Sequence, residues 1–92
     1  MTIIRAQVHI EGRVQGVSFR YHTRETARRL NLNGWVKNLP EGAVAALFEG
    51  EENNVRQMID WCRRGPAAAR VDKVDVSLSQ GGEGLGSFEI VF

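Results

Sequence analysis

The chain has 92 residues, enough for one hydrophobic core and too few for two domains. Hydrophobic residues make up 42% and charged residues 25%, an ordinary soluble balance, and a net charge of +1 supplies no bulk attraction to nucleic acid or an anionic membrane. The single cysteine, Cys62, excludes an internal disulfide and a thiolate metal cage, and no run approaches membrane-spanning length.

The start, Met1-Thr2-Ile3-Ile4-Arg5, lacks the apolar region of a signal peptide, so a cytoplasmic location is expected. Ala6, Val8 and Ile10 alternate with Arg5, Gln7, His9 and Glu11, the period of a strand with one buried face. On that pattern His9 is solvated. Gly12 and Gly16 bracket a turn, and Ser18 stands where the side-chain oxygen of a helix N-cap would stand. Phe19, Thr23, Ala27 and Leu30 then recur at helical spacing, leaving Arg24, Glu25, Arg28 and Arg29 for the wet face. Asn31, Asn33 and Gly34 stop that helix.

Gly34 to Asn38 reads as a short strand, Leu39-Pro40-Glu41-Gly42 as a turn, and Ala43 to Glu49 as the second arm of a β-hairpin. Gly50-Glu51-Glu52 opens a second helix with favourable charge at its start, and Val55, Met58, Ile59 and Cys62 form its apolar stripe. Gly65-Pro66 ends it. Val74, Val76 and Leu78 alternate in a fourth strand, and Phe88, Ile90 and Phe92 in a last one. Between them lie four glycines within Gln80–Gly86, read as a flexible hairpin connection, with a lid over a site as the alternative.

The order β-α-β-β-α-β in so short a chain predicts an α+β, ferredoxin-like sandwich over residues 1–92. Its sheet is expected to be antiparallel, with two helices on one face and an extra C-terminal strand. In this arrangement the first and second strands are parallel, with the third between them. The turn after the first strand then shares a sheet end with Asn38.

Chemistry concentrates in Gly12-Arg13-Val14-Gln15-Gly16-Val17-Ser18-Phe19-Arg20. A strand, glycine turn and helix N-terminus can aim several N–H groups and partial positive charge at one spot, and Arg20 adds a planar charged fork. The parts suit a phosphate-sized anion, while a tight connection with a surface Arg fits them equally. Asn38 offers an acceptor and a donor able to orient a water, or else simply ties up turn backbone.

That stretch and Gly34-Trp35-Val36-Lys37-Asn38, followed by Gly42, Val44 and Gly50, closely resemble both signature motifs of the acylphosphatases, and the resemblance runs over essentially the whole chain. It implies hydrolysis of acyl phosphates to carboxylate and inorganic phosphate, with no metal and no cofactor. By resemblance, Arg20 is the phosphate-binding arginine, Asn38 the water-positioning asparagine, and Gln15, Gly16, Val17, Ser18 and Phe19 the phosphate cradle. Inorganic phosphate is then expected as product and competitive inhibitor, with no nucleic-acid or membrane partner and a monomeric state. A non-catalytic or carbamoyl-phosphate-handling domain of the same fold is the alternative. Two departures stand out: Ser18 where some relatives have cysteine, and Phe92 where many have tyrosine. His22, one turn from Ser18, is expected at the surface or in packing.

Overall fold

The computed structural model describes residues 2–82 and 84–92. Five strands and two helices follow in chain order: β1 (Ile3–Arg13), α1 (Phe19–Arg29), β2 (Asn33–Asn38), β3 (Val44–Glu51), α2 (Glu52–Arg64), β4 (Arg70–Gln80) and β5 (Phe88–Val91). They form one sheet in the order β4-β1-β3-β2-β5. β1 pairs antiparallel with β3 and with β4, and β2 antiparallel with β3, so β1 and β2 point the same way.

The sheet is mixed, not antiparallel throughout: β5 lies parallel to β2, with Val36 opposite Ile90. The reason is positional. β1 and β3 are paired on both edges, and β5 takes the open edge of β2 and not that of β4. The chain reaches that edge at the start of β2, as the bond from Gly34 N–H to the Ser87 carbonyl records, and must therefore run in the direction of β2. The glycine-rich stretch is consequently neither a hairpin connection nor a lid. It joins opposite edges of the sheet at the end remote from the close of β1 and β2 (the part of that reading on Glu83 lies outside the described residues).

The alternation in β1 does what it predicts: Ile4, Ala6, Val8 and Ile10 are buried in one cluster with Val36, Val44, Ala46, Phe48 and Phe88 from the other strands. Phe19 and Ala27 of α1 and Val55, Met58, Ile59 and Cys62 of α2 cap the same cluster. The Phe48 and Phe88 rings stack with centroids 5.5 Å apart, and Trp61 meets Phe19 edge-on at the same separation. Trp35 packs less fully, half-buried with Lys37 Nζ 5.2 Å from its ring centroid. His9 lies half-exposed on the helix-free face, 3.5 Å from a Glu41 oxygen. Glu51 caps α2, accepting from the Asn53 N–H.

Gly12 shapes the approach to the turn. The β1–β4 register shifts between Glu11 and Gly12, a β-bulge that bends the strand. Gly12 has φ 134°, and a Cβ there would sit 2.1 Å from the Arg70 carbonyl oxygen. Only glycine allows the two backbones to come this close. No helix among the described residues is long and apolar enough to cross a membrane.

Candidate functional site

The ends of β1 and β2 and the start of α1 enclose a concavity of about 420 Å³, lined by Val14, Gln15, Gly16, Ser18, Phe19, Arg20, Tyr21, Asn38, Ile90 and Phe92. Arg20 and Asn38 come together there from α1 and β2, as the parallel course of β1 and β2 requires.

The turn between β1 and α1 takes its shape from its backbone conformation. Gly16 has φ 75°, and Ser18 is left-handed too, at φ 60° and ψ 27°. Left-handed residues in a turn let successive N–H groups face one side, a concave arrangement that takes anions. Ser18 holds the N-cap position but not in the way the sequence suggests: its side chain makes no capping bond. In left-handed backbone the hydroxyl does not reach back over the first turn as it does from the extended conformation usual at this position. With no side chain closing it, the N-terminus of α1 offers its first N–H groups and its partial positive charge to the cavity.

Two of the expected cradle residues, whose part in that expectation is their backbone N–H groups, have side chains engaged elsewhere. Val17 does not line the cavity; it packs against the core and so anchors the turn. The Gln15 amide is also committed elsewhere, with Nε2 donating to the Leu39 and Ala43 carbonyls at 2.8 Å each.

Arg20 makes no ion pair or hydrogen bond among the described residues. Its guanidinium carbon instead lies 5.0 Å from the centre of the Phe92 ring, a cation–π contact that leaves the fork's N–H groups available to an anion. Asn38 Oδ1 is shielded from solvent and has no hydrogen-bond partner among the described residues. A buried acceptor left unsatisfied costs about 1–3 kcal/mol, which a structure tolerates where the atom serves a ligand or water.

Tyr21, Ile90 and Phe92 are the wall that sequence reasoning missed. The alternation of Phe88, Ile90 and Phe92 was visible, but nothing in it says that β5 pairs with β2. His22 remains outside, exposed, its ring edge-on to Tyr21 with centroids 5.4 Å apart. Cys62 is buried and burial pushes its thiol pKa up to about 12, so it has no thiolate to offer.

The acylphosphatase family model matches residues 6–90. The chain belongs to the acylphosphatase family. It is 57% identical over 86 residues to the acylphosphatase of Geotalea uraniireducens, covering 94% of this chain and 91% of that one. It is 52% identical over 88 residues to an acylphosphatase of a Nostoc species, covering 96% and 86%. The crystal structure of acylphosphatase from Bacillus subtilis superposes with a TM-score of 0.94 at 36% identity, covering 97% of this chain and 99% of that one. Membership makes the chain a hydrolase, and the reaction of its family is the hydrolysis of acyl phosphates. The small concave site suits such a small-molecule substrate.

Proposed function

We propose that the chain cleaves the carboxyl–phosphate bond of acyl phosphates without a metal or cofactor. The phosphoryl oxygens are held by N–H groups of residues 15–20 and by the Arg20 guanidinium, and Asn38 aims the attacking water. Water adds to phosphorus as the bond to the carboxylate oxygen breaks. The carboxylate leaves with the electron pair of that bond, and inorganic phosphate carries off the oxygen and both protons of the water as H2PO4−, which then equilibrates with solvent. Because a carboxylate leaves readily, strong acid help is not required. Positioning and charge stabilisation are what remain for the protein to supply.

The observation that carries this reading is that Asn38, its Oδ1 unpartnered among the described residues, lines the same cavity as an Arg20 free of carboxylates. With its Oδ1 turned toward the cavity, that carboxamide can take a hydrogen bond from water and aim the lone pair of the water at phosphorus. Monomeric action in the cytoplasm completes the proposal.

Steady hydrolysis of benzoyl phosphate in the presence of EDTA is the expected result, with inorganic phosphate as a competitive inhibitor. Activity lost to EDTA and restored by a metal would refute metal independence. Inhibition that is not competitive would refute the cradle.

A further inference from the structure

We infer that Gln15 is a positioning residue: its side-chain amide ties the cradle to the β2–β3 hairpin and thereby sets where Asn38 stands relative to Arg20. The inference rests on the water-positioning role proposed for Asn38.

Both protons of the Gln15 amide are used, one on the Leu39 carbonyl and one on the Ala43 carbonyl, across 24 and 28 residues of sequence. The hairpin does not need them to close. Leu39 N–H already donates to the Ala43 carbonyl at 2.8 Å, and Gly42 N–H to the Leu39 carbonyl at 3.1 Å. Each carbonyl oxygen has two lone pairs, and Gln15 occupies the second on each. What the extra bonds fix is therefore the distance between the hairpin and the cradle, not the hairpin itself.

Asn38 is the immediate neighbour of both anchored points. Leu39 follows it directly, and its cross-strand partner is Val44, the neighbour of Ala43. Gln15 is at the same time the first residue of the cradle, and its side chain has no N–H left for phosphate. In-line attack tolerates little displacement: a shift of about 1 Å can lower a rate about a hundredfold.

The test measures kcat with benzoyl phosphate and the competitive Ki of inorganic phosphate for four proteins: the unaltered chain, Gln15→Met, Asn38→Ala and the double variant. Gln15→Met keeps the side-chain length and removes both donors. It should lower kcat about tenfold or more while the Ki stays nearly unchanged. In the Asn38→Ala background the same substitution should lower kcat little further, because there is no carboxamide left to misplace. Equal losses in both backgrounds, or a normal kcat in Gln15→Met, would overturn the inference and leave the proposed function standing. No hydrolysis by the unaltered chain would overturn both. Should Gln15→Met fail to fold, 15N-labelled unaltered protein decides. Inorganic phosphate should shift the side-chain amide signals of Gln15 and Asn38 with one midpoint, and an Asn38 signal that ignores the titration refutes the coupling.

Discussion

Arg20 and Asn38 reach one cavity by different routes, and their substitutions should separate accordingly. Arg20→Ala removes the only guanidinium that lines the cavity among the described residues and should raise the barrier by on the order of 3 kcal/mol or more while weakening phosphate inhibition. Arg20→Lys should restore little, since an ammonium presents a point charge where a planar fork is needed. Asn38→Ala should lower kcat and leave phosphate inhibition in place, a split that steady-state kinetics reads directly. A wild-type kcat in Asn38→Ala would mean that water finds its own way to phosphorus. These two residues were legible because each belongs to a long motif. The Phe92 contact to Arg20 was not, because a cation–π pair depends on side-chain placement that spacing does not encode.

Among the elements, the turn from β1 into α1 depends on two glycines for different reasons. Gly12 lacks room: an added Cβ meets the Arg70 carbonyl oxygen, so the β1–β4 pairing must move. Gly16 has room, with nothing within 4 Å of an added Cβ, and needs only its left-handed backbone. Gly16→Ala should therefore lower folding stability by about 1–2 kcal/mol, the strain of a side chain in that conformation. Gly12→Ala should lower it by more, since displaced backbone adds to unfavourable φ. Urea midpoints would show this order, and the reverse order would contradict the bulge as the constraint. Strands, helices and the split βαβ order were readable because alternation and helical spacing report one buried face each. The pairing of β5 was not readable, because an edge strand shows the same alternation whichever neighbour it takes.

At the scale of the whole molecule, the core records pH through Cys62. Burial raises its pKa from 9.0 to about 12, so the native state resists the thiolate that the unfolded chain forms freely. Its contribution to stability is intact below about pH 9 and is lost as pH rises toward about 12. Alkaline denaturation should ease when Cys62 is replaced by Ala or Val, measured as the change in urea midpoint between neutral and high pH relative to the parent. Iodoacetamide should label the parent at neutral pH only as fast as the core opens. The crossing from β4 to β5 has a consequence of its own. Gln80 and Phe88 stand on strands four neighbours apart, a gap of about 19 Å at ~4.8 Å per strand. The eight Cα steps between them span at most about 26–29 Å. The strap is thus a ruler with about two residues of slack: trimming one should be silent. Trimming four should strand β5 short of its berth, and hydrolysis would fail at a distance, with every motif residue still in place.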